Sequence, residues 1–490
     1  MRIKNPSIIL ALLTVSIMIW LVNSQTAVLA TQPTNTNTHT RYLPLIQTPL
    51  SNQPNLNLNV RSATYLGGAG ADFAHGLDIA PDGSIVMVGT MPDHNPGGAT
   101  AVPLLGGGDG VIIRLAPDGQ SVRSVTRIGD AVRDLAVAAN GRILICGDFG
   151  VALLNATADD LIWSDANLGS SQRCDLGSDG TTAVLVKVSN AADQVHVFAA
   201  DGAPIATWSS SGSGQHWQDV AVAATEEAII LTGYTQKTSN LQVPLIYATS
   251  YDGQTERWTA YDFAASDIFE RNLGADSRGQ LVVMGRDGLL YFAGTTDGGN
   301  TVYGRNPQNI GQLLPATTLI RYDRYNNPFQ LSGSTKFTFY GRFNPATGEI
   351  LRGQYLLTRL NNGNGNSIAP NGMMADENGR LYLSGESYAR LDNRDNRQIA
   401  GTIVGPYSGG EPFLLIVSQD FQTRIIWTTF AGSNGAGDSP AYGVSVRQGT
   451  AAVAIGLREG DRNLITHNAL QPNRGGDRDA YIAVWRQMAE

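Results

Sequence analysis

Past residue 60 the chain alternates apolar and polar residues in short bursts, each closed by a turn that contains Gly, Asp or Asn. Such alternation predicts strands rather than helices, and the bursts repeat. The clearest copies are Gly76-Leu77-Asp78-Ile79-Ala80-Pro81-Asp82-Gly83 followed by 84–89, and Asp134-Leu135-Ala136-Val137-Ala138-Ala139-Asn140-Gly141 followed by 142–147. Further copies begin near Cys174, Asp219, Asn272, Asn371 and Tyr442, which makes seven starts. Each reads as strand, tight turn, strand, because Asp-Gly and Asn-Gly tolerate the positive φ of hairpin turns.

A second hairpin follows in most copies, marked by Asp118-Gly119, Asp201-Gly202, Asp252-Gly253 and Thr347-Gly348. Two hairpins make a four-stranded unit. Beyond these turns an aromatic recurs on the fourth strand, at Trp163, Trp208, Trp258 and Trp427, with Tyr355 as a counterpart. Aromatics at one place in a repeat predict wedges between neighbouring units rather than ligand-stacking platforms.

The pattern predicts an all-β chain folded as a β-propeller of about seven four-stranded blades, with six to eight allowed. Residues 479–485 resemble a third strand with no fourth after it, and 62–68 resemble a fourth strand with no predecessors. Pairing the two would close the ring and remove the exposed sheet edges. The propeller is expected over 61–490, with an insertion at about 286–335 in which 289–294 could be a strand and a small extra hairpin follows. Long stretches at 91–108, 387–411 and 458–478 would gather on one face of the ring if they join second to third strands.

Composition adds an address. Arg2 and Lys4 precede an apolar run over 8–22, followed by a polar stretch ending in Val28-Leu29-Ala30 with small residues suited to cleavage after Ala30, the three-part pattern of a signal peptide over 1–30. The run is short for a bilayer span, which needs roughly 20 residues. An uncleaved anchor is the alternative, and the only expected route to a membrane. Residues 31–60, rich in Thr, Asn, Gln and Pro, read as a flexible leader. We expect a secreted or cell-surface protein. A net charge of −8 provides no basic stripe for nucleic acid.

No His-Glu-x-x-His, Gly-x-Ser-x-Gly, phosphate loop or EF-hand loop occurs. The six histidines lack ligand spacing; His75 and His216 precede first-strand starts, which would bring them toward the central face. Asp78, Asp134, Asp175 and Asp219 recur at first-strand positions, where the repeat predicts scaffold roles in capping turns or bonding between blades. We therefore expect no cofactor, with Ca2+ on this carboxylate ring as the alternative. The two cysteines, Cys146 and Cys174, cannot build a four-ligand zinc cage; they either bridge neighbouring blades as a disulfide or remain small buried thiols.

Thr64-Tyr65-Leu66-Gly67-Gly68-Ala69-Gly70-Ala71-Asp72, then 76–89, then Gly106-Gly107-Gly108-Asp109-Gly110-Val111-Ile112-Ile113-Arg114-Leu115 resemble the bacterial seven-bladed β-propeller repeat known as SBBP. A looser copy follows at Thr429-Phe430-Ala431-Gly432-Ser433 and 475–484. The resemblance implies a propeller on exported or cell-surface proteins and brings no catalytic residues with it. The expected function is non-enzymatic: a recognition or structural module binding an extracellular protein or polysaccharide through loops on one ring face. The alternative is an extracellular carbohydrate-active hydrolase or lyase with its site in the central channel. Converging Arg, Tyr and acidic side chains there would favour the enzyme, whereas an aliphatic channel would count against it.

Overall fold

The computed structural model describes residues 55–490 apart from 189–191, 211–213, 298–300, 321–334, 361, 408, 432–439, 459–462, 477 and 488–490. The expected signal peptide and most of the leader lie outside the described residues. Seven sheets of four or five strands stand around a central axis, and a three-stranded sheet lies beside them. Within the blades every pairing of consecutive strands is antiparallel. The innermost strands, in chain order, are Phe73–Ile79, Val132–Val137, Ser171–Leu176, Gln215–Ala223, Ser277–Met284, Ile368–Ala375 and Ala441–Arg447. We number the blades 1 to 7 by these strands. Each innermost strand packs beside the next, and the seventh returns to the first, so the sheets form a closed β-propeller.

The predicted closure holds. Ala480–Arg486 is the third strand of blade 7, and Val60–Leu66 pairs with it antiparallel as the fourth. Tyr65 and Tyr481 pack edge to face at this seam, and Tyr65 Oη accepts the Leu464 N–H at 2.6 Å. Described residues before 61 also join the fold. Asn57–Leu58 pairs in parallel with Gln398–Ile399 of a blade 6 loop, because Leu58 finds an apolar seat with Ile399 and Val404.

The turn residues work as the sequence implies, through one geometry. In blade 1, Gly83 N–H donates to the Ala80 carbonyl, Gly83 takes φ +77°, and Asp82 Oδ1 accepts the Ser84 N–H. This is a type I turn closed by a left-handed glycine. Asn140-Gly141, Asp118-Gly119, Asp201-Gly202 and Asp252-Gly253 repeat it.

Three of the fourth-strand tryptophans are clasped by the following blade. Gly202 sits over the Trp163 ring, Gly253 over Trp208 and Gly348 over Trp258, so close that a Cβ on any of them would lie within 2.7 Å of the indole. All three glycines have positive φ. Trp163, Trp208 and Trp258 are therefore inter-blade wedges, each with a glycine opposite, whereas Trp427 packs with Phe413 in its own blade.

The insertion is placed differently from the expectation. Leu290–Asp297 is the regular second strand of blade 5, pairing along its length with the first and third strands. The extra chain begins only after it, over 298–335. Its described part contributes a small hairpin, Arg305–Asn306 with Asn309–Leu313, and a short strand, Leu319–Ile320, on the blade's outer edge. The sequence pattern misplaced the boundary because the glycine-bounded run at 289–294 looks the same inside or outside a blade.

Candidate functional site

All seven innermost strands carry a β-bulge at the same point. The residue left unpaired is His75, Arg133, Gln172, Gln218, Gln280, Asn371 or Tyr442, and each is half-buried. A bulge re-aims its side chain away from the ladder. His75 and Tyr442, in neighbouring blades, touch edge to face at 6.3 Å, and His75, Asn371 and Tyr442 line a central cavity of about 580 Å³. The start of each innermost strand pairs with the end of the second strand, as in Phe73↔Thr90. The bulges thus sit toward the face reached by the second-to-third connections. The long connections at 91–109, 298–335, 388–410 and 457–479 are all of this kind.

One of these loops is pinned hard. In blade 6, Arg394 and Glu411 are fully buried and paired at 2.6 Å, with the Arg394 guanidinium over the Tyr407 ring. Burial raises the Glu411 carboxyl to about 7 despite Arg394.

Below the bulges the four recurring aspartates join blades. Asp78 accepts from its own neighbour Ile79 N–H at 2.7 Å and from Val137 N–H of blade 2 at 2.9 Å. Asp134 reaches Cys174 N–H of blade 3 at 3.1 Å, Asp175 reaches Val222 N–H of blade 4 at 2.7 Å, and Asp219 reaches Val282 N–H of blade 5 at 2.9 Å. The expectation that they share one place in the repeat is corrected. Asp134 and Asp219 directly follow the bulged residue, whereas Asp78 and Asp175 lie three positions after it. Two rungs alternate from blade to blade, because each carboxylate must meet an inward N–H of the next strand. Between blades 6, 7 and 1 the first-rung position is glycine. Gly372 lies against the Gly443 backbone, and Gly443 against that of Gly76 and Leu77, so those strands approach directly.

The charges in the channel balance one another. Arg286 pairs with Asp78 at 2.9 Å and donates to the Val446 carbonyl at 2.6 Å. Arg447 donates to the carbonyls of Ile79 and Ala138. Arg173 stands between Asp134 and Asp219, at 4.0 and 3.8 Å. Burial raises Asp175 to about 6 and Asp219 to about 7, Arg173 opposing the latter. Burial and the Arg133 and Arg173 charges lower His75 to about 4, leaving a neutral imidazole at neutral pH. His216 is exposed and stacks on Tyr234 instead. Leu77, Leu135, Val220 and Met373 share the cavity wall with these groups. The lining thus mixes the acidic and arginine side chains that would favour an enzyme with the aliphatic ones that would count against it.

Cys146, on the second strand of blade 2, and Cys174, on the first of blade 3, are free buried thiols brought together with the Asp134 carboxylate, ligand atoms all within 4.8 Å. Sequence reasoning found the aspartates and cysteines but missed the bulged ring. Its signal was present: one polar or aromatic residue at a fixed offset before each apolar alternation, visible once the seven copies are aligned.

No family model and no curated protein matches the chain. Solved structures do, at low identity. Hydrazine synthase from Kuenenia stuttgartiensis is 11% identical, with 79% of this chain and 93% of that chain covered at a TM-score of 0.45. A structure of the RRP9 WD40 repeats is 8% identical, with 87% and 98% covered at 0.48. A mitotic checkpoint complex structure is 9% identical, with 94% and 100% covered at 0.47.

Proposed function

We propose that this chain is an exported β-propeller recognition module that binds a polysaccharide on the face carrying the long second-to-third loops. The observation that carries the reading is the bulged ring. His75, Gln172, Gln218, Gln280, Asn371 and Tyr442 offer amide, imidazole and phenol groups at one level, half-buried, where sugar hydroxyls can exchange hydrogen bonds with little competition from water. Arg133 adds a single guanidinium. Export is proposed from the N-terminal pattern and from the resemblance to the SBBP repeat. Four long loops around the ring supply the specificity that a rigid scaffold leaves to its connections.

A second reading has one observation in its favour: buried carboxylates raised toward neutrality, Asp175 and Asp219, of the sort glycoside-cleaving enzymes use as general acids. Against it, each of these carboxylates already accepts backbone N–H groups that hold the ring together.

The test is thermal unfolding of the purified protein against a panel of oligosaccharides, cell-wall fragments and calcium. A ligand at a hundred times its Kd adds about 2.7 kcal/mol of stability. A shift with one glycan class that Gln218→Ala and Asn371→Ala weaken supports the proposal. A shift accompanied by turnover of the glycan moves the assignment to the enzyme. No shift with any glycan overturns the polysaccharide reading in favour of a protein ligand or a structural role.

A further inference from the structure

The two thiols, of which Cys174 lines the channel, have no counterpart in the repeat. Asp134 has its counterparts in Asp78, Asp175 and Asp219, so its carboxylate is accounted for by the inter-blade rung. No other blade places a cysteine at either position. The backbone brings the pair together. Cys146 is the direct cross-strand partner of Asp134, and Cys174 donates its N–H to the Asp134 carboxylate. The two residues therefore flank the same side chain from adjoining blades. Their side chains meet inside a pocket of Leu144, Val151, Leu153, Val184, Val186 and Phe198, and Cys174 also lines the channel.

We propose that Cys146 and Cys174 form a disulfide that covalently ties blade 2 to blade 3. A metal bound by the same cluster is the weaker reading, since both Asp134 oxygens are already engaged by N–H groups and the Arg173 guanidinium stands beside the carboxylate. The oxidant is a small disulfide such as oxidised glutathione. One cysteine thiolate attacks it, forming a mixed disulfide and releasing one glutathione, whose thiolate takes up the proton. The second cysteine thiolate then attacks the protein-side sulfur and expels the second glutathione. Two thiols lose two hydrogens, and one oxidised glutathione becomes two reduced ones.

Burial raises both thiols above the ordinary cysteine range, so exchange in the folded ring is slow and the bond forms most readily while the blades assemble. Closing the chain between adjoining blades restricts the unfolded state more than the folded one.

The experiment equilibrates the full chain, unfolded and refolded, in glutathione buffers of graded oxidised-to-reduced ratio, followed by acid quench, alkylation in denaturant and intact mass. The expected result is a species lighter by two hydrogens with neither cysteine alkylated, peptides containing Cys146 and Cys174 joined, and a melting midpoint raised by about 4 °C over the reduced form. Cys146→Ser and Cys174→Ser each abolish the species and the shift. Two fully alkylated cysteines at every ratio, in protein that melts cooperatively, overturn the proposal. So does a stable glutathione adduct on Cys174, or a zinc ion retained at one per chain in native mass spectra. If the cooperative melt is not recovered on refolding, the same mass readout is applied to natively purified protein held in the same buffers to constancy, with the same outcomes deciding. None of these depends on glycan binding or export, so this proposal and the preceding one fail separately.

Discussion

Replacing Asp78 by Ala removes the most heavily used joint in the ring. Its carboxylate accepts Val137 N–H from blade 2, the Arg286 guanidinium from blade 5 and the Ser445 hydroxyl from blade 7, the last at 2.6 Å. The Asp78 and Arg286 side chains are 11% and 14% exposed. Without Asp78, Arg286 faces Arg447, whose guanidinium already feels its repulsion, and a backbone N–H loses its acceptor. Breaking a largely buried ion pair from one side costs about 3–5 kcal/mol. A folded body of this length has an unfolding entropy of about 0.9 kcal/mol/K, so the melting midpoint should fall by about 3–5 °C. Thermal unfolding followed by circular dichroism measures it, with Asp118→Ala in an exposed turn as the control, expected within about 1 °C of the parent. Removing Arg286 as well should recover part of the loss, because the uncompensated charge goes with it. If Asp78→Ala melts with the control, the carboxylates are not what joins the blades and the two-rung account is wrong.

Two further outcomes follow from the same geometry. Asp219 has a folded value of about 7 against an ordinary 3.8, so the native state holds its proton more tightly than the unfolded chain. Its contribution to stability is present below about pH 4 and is lost as pH rises to about 7. Asp219→Asn keeps the acceptor for Val282 N–H and removes the titration. The melting difference between variant and parent should therefore grow in the variant's favour across that window, and a difference independent of pH would disprove the assignment. Gly202→Ala combines a left-handed φ of +86° with a methyl 2.7 Å from the Trp163 ring, whereas Gly288→Ala, at φ +78°, meets nothing within 4 Å. Urea titration should show about 2–4 kcal/mol lost in the first and about 1–2 in the second; equal losses would mean the tryptophan clasp carries no energy.

How far the chain could be understood before folding depended on whether a feature recurs. Turn glycines, fourth-strand tryptophans and the split last blade recur or complement one another, so their roles followed from alignment of the copies with each other. The fourth strand of blade 7 was legible because an orphan strand at one end of the pattern has a missing partner at the other. The insertion boundary was not, because it occurs once, and a lone run such as 289–294 has no second copy to fix its place. The bulges mark the limit from another side. A bulge inserts one residue without disturbing the apolar alternation that follows it, so spacing alone could place His75 just before a first strand but could not show that it and Tyr442 are bulged. Only the cross-strand register, Ala74↔Gly89 and then Gly76↔Val88, separates them from the ladder. The same extra residue decides the aspartate rungs. Asp134 meets the next blade one position after its bulge and Asp78 three positions after, two places that a repeat read by spacing alone merges into one. The groups proposed to bind in this ring therefore sit at the positions where the blade departs from plain alternation, and the two cysteines, which have no cysteine counterpart in any other blade, are a departure of residue type rather than of register.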